Sequence, residues 1–259
     1  MSANHRCGGP LFEPLRHWLT ALPAAPDSAE LNDLLRRHPV LGEDGRAICF
    51  QPPRADGLSY ESRISQQGVV ETRPDNWHDF FNVLIWLCFP LSKRAITARH
   101  VAAMSPAGAG RGSVRDALTH FDECGIVVLA TQPELLDLLR NHRWRELFAE
   151  RRQAVKQCMR FVIFGHATYE RLLNPYRGLT AKAILYVIDD GWLGLSGAAL
   201  NAAIDRRLAA DLARGNYASP RDFQPLPLLG IPGVTPDSEF PAYYDDVRQF
   251  RPARRAALQ

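Results

Sequence analysis

SVRDALTHFDECGIVVLA, residues 113–130, changes its hydrophobic period halfway along. Up to Cys124 the apolar residues keep helical spacing, with Val114, Ala117, Leu118 and Phe121 on one face and Arg115, Asp116, Thr119, His120, Asp122 and Glu123 on the other. After Gly125 the run IVVLA is short, continuous and β-branched, which predicts a buried strand at 126–130. A second such run, FVIF at 161–164, precedes Gly165 and another helical pattern, and AICFQ at 47–51 is a third candidate. Helix, strand, helix, helix, strand, helix over 113–174 implies a small sheet in a helix-rich α+β domain.

Outward from that stretch, 3.6-residue periodicity predicts helices over 28–38, 76–89, 92–104, 133–141, 143–158, 166–174, 180–189 and 196–214. Seven prolines lie before Arg54, seven after Ser219 and five between. Proline removes a backbone donor and fixes φ. The expectation is therefore one domain over 1–259, with a regular core at 70–215 and irregular Pro-rich flanks, 1–69 and 216–259, wrapped on it. In the tail, Asp245 and Asp246 near Arg248 and Arg251 suggest an ion-pair lock.

At 259 residues, 46% hydrophobic and 23% charged, the chain can bury a core without metal or disulfide. Lysine and arginine number 31 against 28 acidic residues, and only Lys93, Lys156 and Lys182 are lysines. A net charge of +3 is too small for a nucleic-acid footprint. The basic run 141–156 interleaves Glu146 and Glu150 with Arg145, Arg151 and Arg152, as an ion-paired solvated helix does, which leaves nucleic-acid binding a minor alternative. Cys7, Cys49, Cys88, Cys124 and Cys158 are widely spaced and hold no C-x-x-C pair, against a disulfide framework or thiolate zinc site. There is no secretory leader pattern, and no apolar window approaches the ~20 residues of a membrane span, so a cytoplasmic protein with no membrane partner is expected. The signatures G-x-x-x-x-G-K-[ST], G-x-G-x-x-G, H-E-x-x-H and G-x-S-x-G are absent, which removes the usual support for nucleotide, dinucleotide, zincin and α/β-hydrolase readings.

Candidate chemistry starts at NWHDFFNVLIWLCFP, residues 76–90. His78, Asp79 and Asn82 interrupt an apolar helix within roughly a 100° arc. A narrow wet face is one reading. The other follows from residue choice, because Asp, Asn and His are mediocre helix formers where Glu, Lys and Arg would serve a wet face better. After Pro90, Lys93, Thr97 and His100 share a second helical face. A third segment, FGHATYERLL, places His166 in the first turn of a helix, where positive potential favours neutral imidazole, with Glu170 four residues on.

The string NWHDFFNVLIWLCFPLSKRAITARH resembles the signature of the uncharacterised bacterial family catalogued as domain of unknown function 3025, as do RDALTHFDECG at 115–125 and FGHATYERLLNPYRGLT at 164–180. LPLLGIPG and YYDDVRQFRP extend the resemblance into the tail, so that it covers about residues 70–255. It implies which positions match the family pattern, among them Asn76, His78, Asp79, Asn82, Lys93, His100, Arg115, Asp122, Glu123, Gly165, His166, Glu170 and Tyr176. It implies no reaction.

Two function classes remain. In the first, an enzyme-like pocket uses His78, Asp79, Asn82, Lys93 and Arg115 for catalysis, while His78, His100, His166 and Glu170 are metal-ligand candidates. Mixed N and O donors suit a divalent zinc, manganese or iron ion, and metal-assisted hydrolysis of a small molecule is the reaction class expected. Metal-free acid–base catalysis by a His–Asp pair would use the same residues. In the second class, the polar groups form a buried structural network in a protein that binds a protein partner through its aromatic, Pro-rich tail.

Overall fold

The computed structural model describes residues 7–21, 27–104 and 112–253; the parts of the expected flanks at 1–6, 22–26 and 254–259 lie outside them. In chain order the elements are α1 (Arg16–Ala21), α2 (Ser28–Arg37), β1 (Cys49–Gln51), α3 (Tyr60–Gln67), β2 (Val69–Glu71), α4 (Trp77–Cys88) and α5 (Pro90–Ala102). There follow α6 (Ser113–Cys124), β3 (Gly125–Ala130), α7 (Pro133–Arg140), α8 (Arg152–Cys158), β4 (Met159–Ile163), α9 (His166–Leu172), β5 (Thr180–Val187), α10 (Gly197–Ala213) and β6 (Gln224–Pro227). The fold is α+β, helix-rich with two small sheets, and 3-10 turns such as Pro10–Leu15, Pro236–Glu239 and Pro241–Asp245 occupy the Pro-rich ends.

The main sheet runs β4-β3-β5-β6, with β3 parallel to β5 and the outer pairs antiparallel. All six residues of β3 are buried, as its continuous apolar run requires. Its neighbour β5 corrects one expectation: residues 180–189 form a strand, not a helix. Ala-rich TAKAILYV has helix-forming composition, but register with β3 (Val127↔Ile184) and β6 (Ala181↔Leu226) buries Ala181, Ala183, Ile184 and Tyr186, and that pairing overrides propensity. The tail strand β6 contains two prolines, which a sheet tolerates because β6 is an edge. Residues 143–158 do not form one continuous helix either. A π-helical turn at Glu146–Glu150 ends in the i→i−5 bond from Arg151 N–H to Glu146 C=O, 2.8 Å, before α8 begins.

The N-terminal flank is more regular than its prolines suggest. Cys49–Gln51 and Val69–Glu71 pair in parallel, and α3 between them is capped by Ser59 and stopped by Gly68 in the left-handed region at φ 68°. These elements enclose a second apolar cluster that includes Leu31, Leu35, Ile48, Phe50, Ile64 and Val70. Val83 and Trp86 of α4 complete that cluster, whereas Phe80, Phe81, Leu84 and Ile85 face the larger core over the main sheet. Clamped between two cores, α4 has nine of its twelve residues buried. This is why it reads as apolar nearly all round.

Two glycines place the ends of three elements together. Helix α6 runs into β3 with no intervening loop, and the chain leaving β4 returns to that junction: the N–H groups of Phe164 and Gly165 both donate to the Gly125 carbonyl, at 3.0 and 2.9 Å. A Cβ on Gly165 would lie 2.4 Å from the Gly125 nitrogen and 2.5 Å from the Glu123 carbonyl oxygen. Only glycine permits this approach, which sets the first residue of α9, His166, beside the last turn of α6. Across the interface, Phe81 of α4 stacks on Tyr169 of α9 with centroids 5.6 Å apart. In the tail, the carboxylates of Asp245 and Asp246 pair with the guanidinium groups of Arg145 (2.6 Å) and Arg177 (3.2 Å) rather than with those of Arg248 and Arg251, and Asp246 also accepts from the Arg248 backbone N–H at 3.0 Å. Among the described residues no helix is long and apolar enough to cross a membrane.

Candidate functional site

The first turns of α4 and α9 and the last turn of α6 meet at the wall of a cavity of about 580 Å³. His78 and His166 face each other with Nε2 atoms 3.1 Å apart and ring planes at 77°. Glu123 stands beside both, its carboxylate 3.8 Å from His78 Nε2 and 3.6 Å from His166 Nε2. One ligand atom from each of the three residues falls within 4.8 Å of the others. Ligand nitrogens on one tetrahedral cation stand about 3.3 Å apart, given Zn–N bonds of ~2.0–2.1 Å, so the imidazole pair is spaced for a shared ion and Glu123 needs a small rotation to join.

The outer nitrogens explain why the inner ones converge. His78 Nδ1 lies 3.1 Å from Glu170 Oε2, so Glu170 accepts the Nδ1 proton and directs the Nε2 lone pair inward. On His166, Nδ1 is turned toward Asp122, 3.9 Å from its carboxylate. Burial pushes His166 down to about 3, against the opposing charge of Asp122, so the ring is neutral and able to ligate. That neutrality agrees with the expectation for His166, although burial rather than the helix N-terminus leads it. Burial, reinforced by Asp122, raises the Glu123 carboxyl.

Beneath this trio lies a polar network that makes no use of the cavity for its partners. Lys93 donates to both carboxylate oxygens of Asp122, at 2.6 and 2.8 Å, and to the Asn82 carbonyl oxygen at 3.0 Å; the Asn82 amide donates to the Tyr60 hydroxyl at 2.8 Å. Burial drives the Asp122 carboxyl up, but the Lys93 ammonium and the neighbouring His166 and His100 together outweigh it and the net shift is downward. Asp79 is likewise committed. It takes the Arg73 guanidinium through both oxygens, at 2.8 and 2.9 Å, together with the Arg73 backbone N–H, and so ties the approach loop to the helix. Asn76 caps α4 through the Asp79 N–H.

The cavity brings His78, Asp79, Asn82, His100, Arg115 and His166 to one surface, together with Asp122 and Glu123. His100 is not part of the trio: it lies against Glu61, with Nε2 3.8 Å from the carboxylate, on another wall of the cavity. Glu170 supports His78 from outside the trio, whose third donor atom belongs to Glu123 instead. The adjacent His78–Asp79 pair makes no proton relay, because Asp79 turns to Arg73. Tyr176 is 52% exposed and does not line the cavity.

Glu61 was not singled out in the sequence. It belongs to α3, whose YESRISQQ carries too little apolar periodicity to announce a helix. Burial, with help from the charge of Asp122, pushes Glu61 up to about 7, so its carboxyl exchanges a proton near neutrality.

A cavity with an imidazole–carboxylate trio, a neutral histidine and a carboxyl tuned toward neutrality has the composition of a polar functional site. The sequence model of the family described as "Protein of unknown function (DUF3025)" matches residues 50–254, and the chain belongs to that family. The match reaches back into β1 and includes α3 and β2, hence Glu61. No curated protein and no solved structure gives a significant match.

Proposed function

We propose that this protein is a metal-dependent hydrolase whose centre is His78, His166 and Glu123, with Glu61 and His100 on the facing wall as the proton-exchanging pair. The observation that carries the reading is the convergence of three donor atoms within 4.8 Å from α4, α6 and α9, while Glu170 holds the outer nitrogen of His78. His78, His166 and Glu123 would hold a divalent cation, which would supply an activated water for hydrolysis near neutral pH. The cavity beside the trio gives a substrate room to reach it. Cys49, Cys88, Cys124 and Cys158 are free thiols, which supports a reducing, cytoplasmic setting.

The test is elemental analysis of protein purified without chelator, followed by calorimetric titration of EDTA-treated protein with Zn²⁺ and Mn²⁺ and a screen of ester, phosphoester and amide substrates. One equivalent of metal, lost in His166→Ala, and turnover that returns with that metal are the expected results. A wild-type protein that takes up no stoichiometric metal sinks the reading. The competing reading, a buried network that fixes helix packing, draws on the Lys93–Asp122–Asn82–Tyr60 chain. It predicts that His78→Ala changes thermal stability and nothing else.

A further inference from the structure

The charges lining the cavity are mostly paired. Asp79 holds Arg73, Glu71 is within 2.9 Å of the Arg63 guanidinium, and Asp122 holds Lys93. Arg115 differs. It lines the same cavity from α6, forms no ion pair and no hydrogen bond with the described residues, and its Nε atom is buried without a partner. A guanidinium nitrogen taken out of water and left unbonded is costly, and the group is shaped to take an oxyanion through two parallel N–H bonds.

Its place on the helix gives a distance. Arg115, Thr119 and Glu123 all line the cavity and are spaced four residues apart, so they share one face of α6. Eight residues at 1.5 Å each separate Arg115 from Glu123 by about 12 Å along the axis. With Glu123 directed to the histidine pair, Arg115 is the one guanidinium on the cavity wall that no ion pair or hydrogen bond among the described residues holds, although its charge reaches Glu61.

We propose that Arg115 is the anchor of an oxyanion-bearing small molecule, binding a carboxylate or phosphate at one end of the substrate while the bond to be cleaved reaches the His78–His166–Glu123 centre. This rests on the hydrolytic reading for the second half only; the anchor itself needs no metal.

The experiment is calorimetry on full-length, EDTA-treated protein at low salt, with phenyl phosphate and benzoate as anionic probes and benzamide as the neutral control. Wild type binds at least one anion better than benzamide. Arg115→Gln weakens that anion by about tenfold or more, the size of a lost charge-assisted pair, and Arg115→Lys falls between because an ammonium lacks the planar fork. Equal anion affinity in wild type and Arg115→Gln overturns the proposal, as does benzamide binding as well as both anions or no detectable binding of either anion. A Zn²⁺ titration separates the two claims: if wild type binds the anion through Arg115 but takes up no zinc, the anchor stands and the hydrolase reading falls. Circular dichroism and thermal melts confirm that the Arg115 variants are folded.

Discussion

The Nε2 atoms of His78 and His166, 88 residues apart in the chain, approach to 3.1 Å. Two imidazole nitrogens at that separation share a single proton or a cation. Because Glu170 accepts from Nδ1 of His78, the inward lone pair of His78 is available to either. The carboxylate of Glu123 within 3.8 Å of both rings favours the cation.

Metal affinity should rank the residues by position. His78→Ala and His166→Ala are expected to abolish stoichiometric Zn²⁺ binding, and Glu123→Gln to weaken it strongly. Glu170→Gln should cost about 10–100-fold, as loss of an orienting partner to a ligating histidine does. His100→Ala should leave affinity near wild type, since His100 faces Glu61 instead. Calorimetric titration of the five proteins gives the order directly, and a His100→Ala protein that cannot bind zinc would contradict it.

Much of this centre was visible in the sequence, and the rest was hidden for identifiable reasons. His78 and His166 announced themselves as polar residues opening apolar helices, whereas Glu123 read only as part of the polar face of α6 and was not among the ligand candidates. Asp79 and Asn82 gave the same signal as His78 but serve packing, through Arg73 and Lys93, because a mediocre helix former in a buried helix marks hydrogen bonding as readily as chemistry. Glu61 stayed hidden in a polar helix that only its caps and the underlying sheet define. For β5, the deciding term was pairing to β3, where partners such as Val127 and Ile184 lie 57 residues apart, which local composition does not encode.

Glu61 makes stability depend on pH in a direction opposite to most carboxyls. Its pKa is about 7 in the folded protein against an ordinary 4.5, so the folded state keeps a proton that the unfolded state has lost between those values. Its contribution is fully present below about pH 4.5 and disappears as pH rises through 7. His166, lowered to about 3 from 6.5, has the reverse slope at acid pH, so the comparison must be between variant and wild type. Glu61→Gln stays neutral throughout and should gain on wild type by up to roughly 3 kcal/mol between pH 5 and pH 8.5. Melting curves across that range check the sign; a difference that is flat or shrinks contradicts a raised Glu61.

The Lys93–Asp122 pair should behave as a buried ion pair. Both side chains are nearly inaccessible, at 3% and 13% exposure. Lys93→Met strands the Asp122 charge and should cost about 3–5 kcal/mol in urea unfolding. Adding Asp122→Asn removes the stranded charge, and the double variant should recover most of the loss. Additive losses in the double variant would mean that the two groups contribute separately.

Gly165 links the fold to the site, and Gly165→Ala tests the link. The added Cβ would stand 2.4 Å from the Gly125 nitrogen and 2.5 Å from the Glu123 carbonyl oxygen, all backbone contacts that no rotamer change relieves. The chain must part at the junction of α6 and β3, at an overpacking cost of about 1–3 kcal/mol. The same parting moves His166, the next residue, relative to Glu123, so zinc affinity should fall even where the variant stays folded. Gly194→Ala, with nothing among the described residues within 4 Å of its Cβ position, is the matched control and should change neither property. Thermal melts and zinc titrations of both variants decide the matter: a Gly165→Ala protein with wild-type zinc affinity would show that the glycine contact does not set the histidine's position.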